Sequence, residues 1–205
     1  IPIVGRSRRL KLNYRTTEQT RRFAARILSG PHIADLDGHN DSLAGYTSLL
    51  QGEEPLEVRC ESVAQEASVI RDQISAWLEH DLDRERLSGV CVVARSSDYI
   101  SALRKALESP DLPVCTVDRD GDPKEDGLRI ATMHRVKGIE YDYIVVAGAD
   151  SAQLPEPRAI QRAGQSEADK RSALLRERSL LYVALTRARN AVLITWAGER
   201  SELLP

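Results

Sequence analysis

Apolar positions along this chain switch between a period of two and one of about 3.6, and each switch marks a predicted element. Alternation in LKLN (10–13) predicts a short strand, and Thr16 is placed as the N-cap of a helical pattern that ends near Ser29-Gly30. Residues 30–56, rich in Gly, Pro and Asp, read as a long loop with a short helix around Leu43–Leu50. A strand near Leu56–Cys60 then leads to a helix from about Ser62 to Glu79, where Val63, Ala67, Ile70, Ile74 and Trp77/Leu78 recur at helical spacing. VCVVA (90–94) is apolar throughout, as a strand covered on both faces is, and the helical pattern of Tyr99, Leu103 and Leu107 follows it. PVCTV (113–117), LRIATM (128–133), YIVVAG (143–148) and AVLITW (191–196) read as further strands, DRDGDPKEDG (118–127) as a polar turn, and Leu174–Ala188 as a helix.

Strands alternating with helices, several of them apolar along their whole length, predict one α/β domain with a mostly parallel sheet covered on both faces. In such sheets ligands gather beyond the carboxyl ends of the strands. That rule selects Tyr14-Arg15 after the first strand, and Thr132, His134 and then Lys137-Gly138-Ile139-Glu140 after LRIATM, and it predicts both sets on one rim.

At 205 residues and 41% hydrophobic content the chain is long enough for one well-buried core. No apolar run approaches the roughly 18 residues of a membrane span and no leader-like segment opens the chain, which favours a cytoplasmic protein without a membrane partner. Cys60, Cys91 and Cys115 stand singly in apolar segments, as reduced structural cysteines do. Asp35, Asp37 and Asp41 lack calcium-loop spacing, so no metal site is expected there. The net charge is only −2, but residues 6–26 are basic and residues 35–61 acidic, so charge is segregated rather than globally suited to nucleic acid. The start at Ile1, followed at once by basic residues, gives the expectation of a fragment of a longer protein.

The run ERSLLYVALTRAR (177–189) ends in two arginines two positions apart. On a helix these differ by about 200°, so one ligand cannot meet both. Leu181, Ala184, Leu185 and Ala188 make the apolar stripe, Arg187 lies on its flank, and Arg189 falls at a frayed end before Asn190, read as a left-handed stop. A guanidinium fixed there suits charge developing on a phosphoryl group; it equally suits favourable placement at a helix C-terminus. In TMHRVKGIEY (132–141) a threonine hydroxyl and an imidazole can hold a phosphate or a base, Gly138 permits close backbone approach, and Glu140 can accept from ribose hydroxyls. Taken singly, His134 also reads as a polar surface residue and Lys137 as a solvated one.

Together NYRTTEQ (13–19), TMHRVKGIEYDYIVVAG (132–148) and ERSLLYVALTRAR (177–189) resemble motifs IV, V and VI of the UvrD/Rep-like superfamily 1 DNA helicases, and VVARSSDYISALRKAL (92–107) resembles the segment between IV and V. The resemblance implies a RecA-like (P-loop NTPase-like) three-layer domain, the second of two that clamp ATP and Mg2+ between them, spanning 1–205 and lacking the phosphate loop itself. It implies that Arg15 and Arg187 reach the γ-phosphate, Arg187 as arginine finger, that Gly138 and Glu140 border the nucleotide, and that Thr132 and His134, with Arg95 to Ser97, contact single-stranded DNA. The implied partners are that DNA strand and an N-terminal RecA-like domain of the same protein, and the implied motion is 3′ to 5′.

Two departures and one absence qualify the resemblance. Leu12 stands where the family often has glutamine, and about twenty residues separate the helix ending near Leu107 from the strand at Leu128, where UvrD and Rep carry a large extra domain. There is no G-x-x-x-x-G-K-[ST] loop and no apolar strand ending in Asp-Glu, so this chain alone is expected not to hydrolyse ATP. A non-catalytic interaction domain, or the motor of a helicase fused to a nuclease, are the other readings.

Overall fold

The computed structural model describes residues 12–28, 46–80, 86–119, 121–164 and 166–205. The basic residues Arg6, Arg8, Arg9 and Lys11, the aspartates at 35, 37 and 41, and most of the predicted 30–56 loop lie outside them.

In chain order the elements are β1 (Leu12–Asn13), α1 (Glu18–Leu28), β2 (Thr47–Ser48), β3 (Leu56–Cys60), α2 (Val63–His80), a 3-10 turn (Leu87–Gly89), β4 (Val90–Ala94), α3 (Ser97–Leu107), β5 (Val114–Thr116), β6 (Leu128–Thr132), β7 (Tyr141–Val146), α4 (Pro157–Arg162), α5 (Glu167–Leu185) and β8 (Ala188–Ala197). Six strands form one sheet in the order β3-β8-β7-β4-β6-β5, and every neighbouring pair is parallel. The α/β class and the mostly parallel sheet expected from the sequence are therefore present.

Period-two alternation sorts the strand residues between two cores. Cys91 and Val93 of β4, Ile144 and Val146 of β7, and Val192, Ile194 and Trp196 of β8 face Phe23, Ala24 and Ile27 of α1 and Leu181, Ala184 and Leu185 of α5. Val90, Val92 and Ala94, with Tyr143 and Val145, face Ala67, Ile70 and Ile74 of α2 and Ile100, Leu103 and Leu107 of α3. Trp77 stacks on Tyr143 with ring centroids 4.6 Å apart, closing that second layer. The result is helix, sheet, helix.

Several expectations are corrected. The described part of LKLN, Leu12–Asn13, contributes not to the main sheet but to a two-stranded parallel pair, Leu12 opposite Thr47 and Asn13 opposite Ser48, so residues 47–48 are strand where a short helix was expected. Thr17, not Thr16, caps α1: its Oγ1 accepts from the Thr20 N–H at 3.3 Å. The last helix begins at Glu167 and stops at Leu185, and Ala188 through Asn190 already belong to β8, paired through Ala188 to Tyr141. Arg187 is therefore in a turn and Arg189 in a strand, and no described non-glycine residue, Asn190 included, has a positive φ. The helical periodicity of 181–188 ran past the true end because Ala188 is as apolar as the stripe before it.

Candidate nucleotide and nucleic-acid interface

Parallel pairing fixes where the predicted site residues fall. β6 and β7 both run parallel to β4, so the segment 133–140 must return from the carboxyl end of one strand to the amino end of the other. Thr132 and His134 consequently sit at the carboxyl rim of the main sheet, whereas Glu140 sits at the amino rim, directly before β7. Arg187, directly before β8, shares that amino rim: the Tyr141 N–H donates to the Arg187 carbonyl at 3.0 Å. The expectation of a single rim is thus corrected to two.

The amino rim gathers three of the predicted residues. Arg15 Nε lies 3.1 Å from Glu140 Oε1, with the arginine side chain 71% and the glutamate 37% exposed. The turn that carries Arg15 is built by neighbours from both sides. Asn13 Oδ1 accepts from the Arg15 N–H at 2.8 Å, and the Ser48 hydroxyl donates to the Thr16 carbonyl at 2.6 Å. Ser48 is held in turn by its N–H to Glu18 Oε2 at 2.7 Å, and both Glu18 oxygens accept from Arg21, at 2.8 and 2.6 Å. The Arg21 guanidinium, assisted by the Ser48 N–H, overcomes burial and holds the Glu18 carboxyl down at about 2. Tyr14, selected with Arg15 in the sequence, is 56% exposed.

Arg187 is placed by the end of α5. Its N–H donates to the Ala184 carbonyl and its Nε to the Val183 carbonyl, both at 3.2 Å, while the Thr186 hydroxyl takes the Tyr182 and Val183 carbonyls at 3.0 and 3.1 Å. These bonds satisfy the last turn's free acceptors and fix the arginine's stem. Arg187 remains partly exposed. Burial pushes the neighbouring Tyr182 hydroxyl up, and the Arg21 and Arg187 guanidiniums oppose that shift. Gly138, on the returning segment, has φ +90° with open space where a Cβ would project.

The carboxyl rim holds the other predicted set. Thr132 ends β6, its carbonyl accepting from the Arg135 N–H at 2.8 Å, and the next N–H, of Met133, donates to Ala94 of β4 at 3.0 Å. His134 is exposed, yet desolvation first and the Arg95 guanidinium second push its pKa below the ordinary value, against the pull of Glu177 and Glu156. Ser97 is the exposed first residue of α3, which Ser96 caps by accepting the Tyr99 N–H at 3.2 Å.

Arg95 departs from its expected role. Its side chain is 9% exposed, and its fork grips Glu177 through two bonds of 2.7 Å and Glu156 through one of 2.9 Å. A guanidinium so committed has no open face for a strand; it positions its neighbours instead. The signal for this was in the sequence: Ala173, Glu177, Leu181 and Leu185 are successive positions of one buried stripe, and a carboxylate in such a stripe requires a buried cation. A second buried acid, Glu66, accepts from the Tyr99 hydroxyl and, at 2.9 Å, from the Gly148 N–H, fixing the chain just beyond β7. Among the described residues no group of three His, Cys, Asp or Glu could hold a metal ion, and no helix is long and apolar enough to cross a membrane.

Residues 119–199 match the UvrD-like helicase C-terminal domain. The chain is 33% identical over 122 residues to ATP-dependent DNA helicase UvrD2 of Mycobacterium tuberculosis, covering 58% of this chain and 17% of that protein. It is 35% identical over 83 residues to ATP-dependent DNA helicase PcrA of Staphylococcus aureus, covering 40% of this chain and 10% of that protein. The chain thus spans 17% or less of the length of these relatives. In fold it is similar to the C-terminal domain of a possible DNA helicase from Lactobacillus plantarum WCFS1, with a TM-score of 0.58 and 19% identity over 93% of this chain and 91% of that one.

Proposed function

We propose, from the match of residues 119–199 to the UvrD-like helicase C-terminal domain, that the chain is the second RecA-like half of an ATP-dependent DNA helicase or translocase. The observation that carries this reading is the division of the candidate residues between two rims. Arg15, Glu140 and Arg187 stand together at the amino rim, and Thr132, His134 and Ser97 stand at the carboxyl rim.

At the amino rim the chain lends positive charge to a triphosphate held chiefly by an N-terminal RecA-like domain. The pair of Arg15 with Glu140 is exposed, and exposed ion pairs contribute about 0–1 kcal/mol, so a polyphosphate displaces the single carboxylate from the guanidinium. Glu140, once released, accepts from the nucleotide's ribose hydroxyls, and the open left-handed turn at Gly138 lets backbone approach the nucleotide. Arg187 acts as the finger. Its stem is already fixed by the Val183 carbonyl, so little reorganisation is needed when charge develops on the transferring phosphoryl group. Mg2+ bound with ATP would neutralise phosphate charge, and its ligands would come from the first domain together with the phosphate loop that this sequence does not contain.

At the carboxyl rim the Thr132 hydroxyl, a neutral His134 imidazole and Ser97 meet single-stranded DNA through hydrogen bonds rather than ion pairs. Aromatic residues make up only 4% of the chain, so stacking platforms in this half are few. Alternation of nucleotide states at one rim and strand grip at the other moves the protein, 3′ to 5′ by its resemblance to UvrD and Rep. The test is Arg187→Ala in the full-length protein: ATP turnover with single-stranded DNA falls by about 10³-fold or more while nucleotide affinity changes little. Turnover near wild type contradicts the finger assignment.

A further inference from the structure

We propose that the buried Arg95–Glu177 pair, with Glu156, is the link that passes strand occupancy at the carboxyl rim to Arg187 at the amino rim. This inference rests on the two-rim reading above and adds to it a specific set of positioning residues.

Arg95 stands between β4 and α3, directly before Ser96 and Ser97, and its Nε and Nη2 grip the two Glu177 oxygens at 2.7 Å each. Glu177 lies within α5, eight residues or about 12 Å along the helix axis before its end at Leu185, and Arg187 follows in the turn just beyond. A helix is stiff over that length, so a displacement at Glu177 reaches the turn that carries Arg187. Other bonds join the same junction. Glu177 Oε2 accepts from the Glu156 N–H at 3.1 Å, Glu156 Oε2 lies 2.9 Å from Arg95 Nη2, and the Ser96 hydroxyl meets Gln153 Oε1 at 3.1 Å. His134 feels Arg95, Glu177 and Glu156 electrostatically, so the candidate strand contacts and the buried cluster share one neighbourhood.

The charge balance makes the cluster responsive. One guanidinium serves two carboxylates, and the outer one, Glu156, is 24% exposed whereas Glu177 is 3% exposed. A strand phosphate held by Ser97 and His134 repels the partly exposed Glu156 from the outer edge of the cluster, while Arg95, itself off the strand, keeps Glu177 on its inner edge. With its outer partner displaced, Arg95 shifts against Glu177 and draws on α5.

The test uses the full-length protein and measures ATP turnover without DNA and with saturating oligodeoxythymidine. In Arg95→Met/Glu177→Leu the pair is replaced whole by apolar side chains, which avoids stranding one buried charge. Glu156→Gln removes only the outer carboxylate. Stimulation by the oligonucleotide is expected to fall about tenfold in the double variant, within the range of ordinary inter-site coupling, with turnover in the absence of DNA kept within about twofold, and Glu156→Gln should fall between it and wild type. Wild-type stimulation in both folded variants overturns the link. Equal loss of stimulated and unstimulated turnover, or failure of both variants to fold, also overturns it, since a purely structural pair gives those results. If Arg187→Ala leaves turnover intact, the parent reading fails instead; if Arg187→Ala abolishes turnover but the pair's removal leaves stimulation unchanged, only the link fails.

Discussion

Replacing Glu18 by glutamine tests how Arg15 is held in place. Glu18 accepts from Arg21 at 2.8 and 2.6 Å and from the Ser48 N–H at 2.7 Å, and Ser48 in turn clamps the Thr16 carbonyl one residue after Arg15. With its pKa lowered from 4.5 to about 2, the folded state prefers the carboxylate by roughly 3 kcal/mol. The Glu18 side chain is 18% exposed, and solvent screening brings the expected contribution to about 2 kcal/mol. The sign follows from the direction of the shift: the folded pKa lies below the unfolded one, so the stabilisation is fully present above pH 4.5 and is lost as pH falls toward about 2. Urea denaturation of wild type and Glu18→Gln across that interval reads the difference directly. The variant should be about 2 kcal/mol less stable at about pH 5 and above, with the gap closing toward zero by about pH 2. A gap that stays constant with pH, or no gap near neutrality, refutes the assignment of the clamp to the ionised carboxylate. Because the clamp carries Arg15, the same substitution in the full-length protein should also weaken nucleotide-dependent turnover.

Two further substitutions separate geometry from charge. Gly148 has φ +63° and a Cβ there would lie 2.7 Å from the Tyr99 ring, whereas Gly164 at φ +80° faces open space. In thermal or urea denaturation Gly164→Ala should cost about 1–2 kcal/mol for the left-handed backbone alone, and Gly148→Ala a further 1–3 kcal/mol for the collision; equal costs contradict the packing described. Thr132→Ala/His134→Ala in the full-length protein should weaken oligonucleotide binding about tenfold through lost neutral hydrogen bonds, leaving the salt dependence of affinity unchanged. A shallower salt slope, measured by titration at several ionic strengths, shows instead that His134 binds as a cation.

The strands of the central sheet were legible because burial on both faces leaves an unmistakable pattern: VCVVA carries five apolar residues and all five are buried. The small pair of β1 with β2 was not, because two-residue strands carry no period and their partner lies 35 positions away. The candidate residues are chosen by type, and the sequence puts on one rim what the structure divides between two. Local pattern gives a strand's existence, while the direction of the 133–140 return depends on two long-range parallel pairings. Arg95 shows the same gap in another form. Its basic side chain after an apolar strand reads as a surface contact until Glu177, 82 positions on, is seen to bury it. Glu177 interrupts the apolar stripe of its helix and was the local sign that such a partner existed.

The central claim is that this chain turns two guanidiniums toward phosphates gripped by another domain. A crystal structure of the full-length protein with Mg2+, ADP and a metal-fluoride mimic of the transferring phosphoryl group measures that directly. The account predicts the Arg187 and Arg15 nitrogens within about 3 Å of the mimic or the adjoining phosphate oxygens, with Arg15 released from Glu140. Arg15 still paired with Glu140 and Arg187 turned away from the nucleotide would contradict it.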